Sequence, residues 1–200
     1  AIPVPADTWA GDTSTATLLS RGLRATLAGN PGLARRMLAV ARARPGRDLL
    51  QQGVTPLLRE AWIDGTAERW DEVIGVIGPT VMGPLELTYS NTAGLPALRW
   101  TLADAYEQRG RPDSAAVWME WLASDLRHLD ACIQYRGVLV PLAHQRLVLL
   151  YARMGRLADA QRHLAILERW WDRPDDVAQR MLDEARAAVM SLRAMAPRRG

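Results

Sequence analysis

The chain reads as an all-α protein of stacked antiparallel helical hairpins, and three observations lead there. Leu102-x3-Tyr106-x3-Gly110-Arg111-x3-Ala115 recurs forty-five residues later as Leu147-x3-Tyr151-x3-Gly155-Arg156-x3-Ala160. One helix pair cannot bury its apolar face alone, so a repeated pair implies a stack. From Ala16 onward, apolar residues recur at three- and four-residue spacing, the period of a helix with one buried face. Prolines and glycines fall where helices begin and end, as at Gly29-Asn30-Pro31, where Asn30 suits an N-cap and Pro31 the first helical position.

Each element follows from this punctuation. Residues 1–15, AIPVPADTWAGDTST, hold two prolines and small polar residues and read as an extended arm. Trp9 is its anchor, in a groove of this chain or of a neighbour. Helices are expected over Ala16–Ala28 and Pro31–Arg44, the latter with Leu33, Met37, Val40 and Ala41 inward. A second pair covers Pro56–Ile63 and Glu68–Ile77, stopped by Gly78-Pro79. Residues 78–96 carry six glycines and prolines and read as a loop or broken helix. The clear repeats are 96–136 and 138–171. The first pairs Pro96–Arg109 with one long helix, Asp113–Arg136, that contains no glycine or proline; a break near Ser124-Asp125 is the alternative. The second turns at Gly155-Arg156 and runs to Trp171. A capping helix, 174–194, follows, with Asp172 or a neighbour as cap and Val177, Met181, Ala188 and Leu192 inward. Residues 16–200 are thus expected to form a single α-solenoid domain.

The hairpins resemble tetratricopeptide repeats. Leu102, Ala103, Tyr106, Gly110, Ala115, Met119 and Leu122 sit at the family's spacings, as do Leu147, Tyr151, Gly155, Ala160, Leu164 and Leu167. The small residue at the crossing lets the two helices approach closely. Leu23, Leu27, Leu33 and Val40 allow a third, degenerate copy, in which Arg36 falls where a small residue belongs. The resemblance implies a short solenoid whose first helices line a concave groove. By position that groove would hold Trp100, Asp104, Glu107 and Gln108 from one copy and Gln145, Leu149 and Arg153 from the next. The competing expectation is that the chain's own arm or final helix fills it.

Composition narrows the function. Of 200 residues 48% are hydrophobic and 24% charged, enough apolar surface for a sizeable core. All 25 basic residues are arginine, which together with the absence of phenylalanine points to a GC-rich genome. No apolar run reaches the roughly 18–20 residues of a membrane span. The lone Cys132 excludes an internal disulfide framework. The chain begins at Ala1, which reads as a processed chain or a fragment; a cytoplasmic location is favoured, with an extracytoplasmic one open if Ala1 is a processed terminus.

No nucleophile elbow, phosphate loop, zincin helix or dinucleotide glycine pattern is present, so no enzyme, cofactor or metal is expected. His128 and Cys132 share a helical face without a third ligand, and His144 and His163 show no carboxylate or cysteine at ligand spacing. The acidic cluster Asp172–Asp176 reads as helix capping. Residues 13–47 contain seven arginines and no acid, whereas residues 48–104 contain eight acids and three arginines. Such a basic hairpin, Arg35 and Arg36 included, suits an acidic partner, self-association or a peripheral membrane contact through 21–47. Nucleic acid is not expected, because no stacking aromatic stands among those arginines. The sequence thus predicts a protein–protein interaction scaffold or accessory subunit of a larger assembly. The alternative is a regulatory or sensor domain of a longer bacterial signalling kinase or transcription regulator.

Overall fold

In the computed structural model, residues 14–43, 54–82, 95–124 and 133–195 are described. Among them are nine helices and no strand: α1 (Thr15–Leu27), α2 (Pro31–Arg42), α3 (Val54–Thr66), α4 (Trp70–Met82), α5 (Leu95–Gln108), α6 (Pro112–Ser124), α7 (Ile133–Arg153), α8 (Leu157–Trp170) and α9 (Asp176–Met195). The chain divides into two compact units, Ala1–Arg109 and Gly110–Gly200. In the first, α1 packs on α2 and α3, α3 on α4, and α5 against α3 and α4. In the second, α7 packs between α6 and α8, and α9 covers both α7 and α8.

The helix ends are set by local chemistry. Ser14 Oγ accepts the Thr17 N–H at 3.3 Å and starts α1. Asn30 Oδ1 accepts the Leu33 N–H at 3.1 Å, with Pro31 in the first turn of α2. The cap of α9 is Asp175, not Asp172: its Oδ1 accepts the N–H groups of Val177 at 2.9 Å and Ala178 at 2.8 Å. The acidic cluster therefore does supply a helix cap.

A conformational repeat organises the chain. Gly29, Glu68, Gly110 and Gly155 have φ of 72°, 57°, 67° and 73°, the left-handed geometry that ends one helix before the next. The N–H of the following residue bonds back to the helix at three of them, Asn30 to Ala25 O, Arg69 to Asp64 O and Arg156 to Tyr151 O. Seven positions before each turn lies a buried residue: Gly22, Ala61, Ala103 and Val148. Five positions after it lie Ala34, Val73, Ala115 and Ala160, and nine after it Leu38, Ile77, Met119 and the half-buried Leu164. The first pair therefore repeats on Ala34, Leu38 and Ala41. The expected Leu33, Met37 and Val40 are displaced by one position, and Val40 is 48% exposed.

The second pair, 56–77, follows the same pattern but uses Glu68 where the others use glycine, which hides it in the sequence. A side chain at positive φ is strained by about 1 kcal/mol. Glu68→Gly is therefore expected to stabilise the protein by about 0.5–1 kcal/mol, read from urea unfolding; a destabilised variant would show that the Glu68 side chain contributes more than its backbone costs.

Two helices pass through prolines, one of which, Pro79, was expected to stop its helix. Pro79 lies inside α4 and Pro141 inside α7. Each ring abolishes a bond to the carbonyl four residues back, and those residues are Gly75 and Gly137. Both glycines are exposed, with nothing within 4 Å of a Cβ placed there, so the backbone can tilt and its carbonyl can meet water. The long Asp113–Arg136 helix is also revised: α6 is described to Ser124, and Ile133–Arg136 form the start of α7. In α9 the buried residues are Leu182, Ala185 and Val189, while Val177 is 54% exposed. No described helix is long and apolar enough to cross a membrane.

Candidate functional site

The first unit contains a cleft whose walls follow from its hairpin order. α3 lies against both α1 and α5, so the first helices of successive pairs stand side by side. Between them is a cavity of about 430 Å³, within the usual size range of ligand sites. α1 supplies Leu23, Thr26 and Leu27; α3 supplies Ala61, Trp62, Gly65 and Thr66; α5 supplies Thr101, Asp104 and Gln108. Trp70, at the start of α4, completes it. The Trp70 indole lies directly on Gly65, where a Cβ would come within 3.1 Å of Cζ3. Glycine at 65 thus lets the ring lie flat on α3 and widens the cleft.

The lining is mainly apolar. Trp62 is 45% exposed and Leu27 72% exposed, unusual for large apolar side chains beside a cavity. Asp104 is the one charged residue among the described residues of the wall. Thr26 Oγ1 is shielded from solvent and has no hydrogen-bond partner among the described residues. The arrangement offers apolar surface, two indoles, a carboxylate and a hydroxyl.

The second unit holds a polar chain through its interior. Glu120 of α6 accepts hydrogen bonds from Tyr151 Oη at 2.7 Å, His163 Nε2 at 2.9 Å and Arg162 Nη2 at 3.2 Å. His163 Nδ1 in turn faces His144 Nδ1 at 2.9 Å. The rings of Tyr151 and His163 stack at 5.5 Å, and the Arg156 guanidinium sits 4.5 Å above Tyr151. The His163 bond, followed by the Tyr151 bond and the nearby positive charges, holds the Glu120 carboxyl down at about 2 despite its partial burial. Burial, bonding to Glu120 and that carboxylate's charge push the Tyr151 hydroxyl well above its ordinary value. Sequence spacing missed this cluster because its carboxylate stands on a different helix from either histidine.

The residues singled out from sequence separate into five groups. Asp104 and Gln108 line the cleft; Trp100 and Glu107 lie half-buried on the same helix. Gln145 is 9% exposed, and its amide donates to Glu184 of α9 at 3.1 Å. The final helix thus covers this part of the second unit, as the competing expectation had it. Leu149 is half-buried and Arg153 exposed. Arg35 and Arg36 are exposed on α2, but Arg42 turns inward to Glu60 and Asp64, so the arginines do not form one solvated face. Trp9, His128 and Cys132 lie outside the described residues, and among those described no group of three metal-ligating side chains occurs.

No family model, curated protein or solved structure matches this chain.

Proposed function

We propose that this chain is a tetratricopeptide-like interaction domain, a scaffold or accessory subunit, and that its first unit binds a peptide segment of a partner protein. One observation carries the reading: the first helices of successive pairs line an apolar cleft holding two indoles and a single charge, the Asp104 carboxylate. An exposed tryptophan beside a cavity is the kind of group that dominates binding energy at protein interfaces. Its occupant is a short segment with a large apolar side chain next to an arginine or lysine. The apolar side chain fills the cleft, and the cation meets Asp104 and the indole faces.

Selection from a random peptide display library tests this directly. Enriched peptides are expected to pair an aromatic or branched apolar residue with a nearby basic one. Trp62→Ala should weaken their binding at least tenfold, about 1.4 kcal/mol or more, with the urea midpoint nearly unchanged because the ring is already half in solvent. Peptides that bind the Trp62→Ala protein as well as the unaltered one would place the interaction elsewhere.

A further inference from the structure

The second unit carries a pair of buried histidines that peptide binding in the first unit does not use. We propose that His144 and His163 form an acid-opened lock between α7 and α8: facing imidazoles that share one hydrogen between their Nδ1 atoms and are forced apart when both nitrogens carry one.

The hydrogen bonds set the protonation pattern. Glu120 is a carboxylate and accepts from His163 Nε2, so that nitrogen carries a hydrogen. Across the 2.9 Å between the two Nδ1 atoms there is room for one hydrogen, carried by one ring and accepted by the other. The two rings are 5.1 Å apart between centroids, 6% and 2% exposed, with no room for water-filled separation without moving a helix. If both rings were imidazolium, two N–H donors would face each other at that distance, and two positive charges would share a buried site.

The surroundings offer His144 little relief. On α8 it faces His163 and the charge of Arg169, and the Arg162 guanidinium, paired with Asp159 and Glu120, lies 3.1 Å from His163 Nε2. On α6, Glu120 is the carboxylate that acts on His144, and its hydrogen bonds go to His163, Tyr151 and Arg162. On α9, Glu184 is taken by Gln145. On its own helix lie Tyr151 and Arg146. Burial, then His163, then Arg169 lower the His144 imidazole to about 4, with Glu120 opposing.

The sign follows. A histidine held below its unfolded value of 6.5 stays neutral in the folded unit and gains a proton on opening. Its stabilising contribution is complete above pH 6.5 and is lost as the pH falls towards 4. Glu120 does not offset this: held near 2 in the folded unit against 4.5 when unfolded, it adds to the loss as the pH falls below about 4.5. Between pH 7 and pH 5 the opening equilibrium of the second unit is expected to rise about 20-fold from this linkage.

Histidine NMR titration of the unaltered protein and hydrogen exchange at matched intrinsic rates test the lock. The His144 ring is expected to stay neutral to below pH 5, with exchange in α6–α8 rising on acidification while that of α1–α3 changes far less. His144→Phe should flatten the acid dependence. A His144 ring titrating near 6.5 in the folded protein would overturn the proposal, as would an unchanged acid slope in the His144→Phe variant. Should that variant not fold, the NMR titration of the unaltered protein decides alone.

Discussion

Replacing Arg42 with alanine is expected to cost about 3–5 kcal/mol at neutral pH. The Arg42 guanidinium reaches from α2 to α3, where Nε bonds Glu60 Oε1 at 2.8 Å and Nη2 bonds Asp64. Those carboxylates are 1% and 0% exposed and one helical turn apart. Arg69 also pairs with Asp64 and remains in the variant, so the loss falls mainly on the α2–α3 contact that Arg42 bridges. A buried ion pair adds little over an apolar replacement, but removing one side leaves charge in a low-dielectric site.

The pH dependence of that loss gives a second readout. Burial raises the Asp64 carboxyl above its ordinary value even with Arg42 and Arg69 beside it. The folded state therefore binds the proton more tightly than the unfolded state, so lowering the pH through that range favours folding at this site. The Arg42→Ala deficit should shrink as the pH falls and Asp64 takes up its proton. Urea unfolding at pH 7 and pH 5, with Glu60→Gln and Asp64→Asn added to the variant, checks both points. The neutral triple variant should recover part of the loss; a cost below about 1 kcal/mol for Arg42→Ala alone would mean that the two carboxylates are solvated.

Gly22→Leu is expected to destabilise the first unit by about 3 kcal/mol. Even a Cβ at Gly22 would lie 2.8 Å from Ile63 Cδ1, 3.4 Å from Ala34 O and 3.5 Å from Met37 Cβ. The glycine thus sets how closely α1 approaches both α2 and α3, and a branched side chain must displace one of them. Since α1 and α3 also form two walls of the cleft, the same substitution should weaken the selected peptides. A Gly22→Leu protein with an unchanged urea midpoint would show that α1 can shift without cost. Ala160→Trp, at the equivalent crossing of α7 and α8, supplies an independent comparison, because Ala160 is 0% exposed.

The helical class and most helix starts were legible in the sequence because they depend on local chemistry. Asn30-Pro31 begins a helix wherever it is placed, and Gly110 and Gly155 adopt a left-handed turn at little cost. The register of the first pair was legible too: Gly29-x-Pro31-x2-Ala34 repeats as Gly110-x-Pro112-x2-Ala115. The apolar residues Leu33 and Val40 obscured it, since hydrophobicity alone does not say which of two neighbouring stripes is buried. Glu68 concealed the second pair, because its turn conformation is imposed by the packing of α3 on α4 rather than favoured by the residue.

The sequence by itself determined an all-α chain of repeated helix pairs, with Asp104 and Gln108 on a first helix and an acidic cap before the last one. Tertiary structure alone decided that Trp62 and Trp70 share a cleft with them, that Gln145 is covered by α9, and that Glu120, His163 and His144 line up through the second unit. The physical reason is range. Capping, turn geometry and periodicity act within a few residues, whereas a cleft or a buried polar chain joins residues dozens of positions apart, and their meeting depends on how closely small residues let the helices approach.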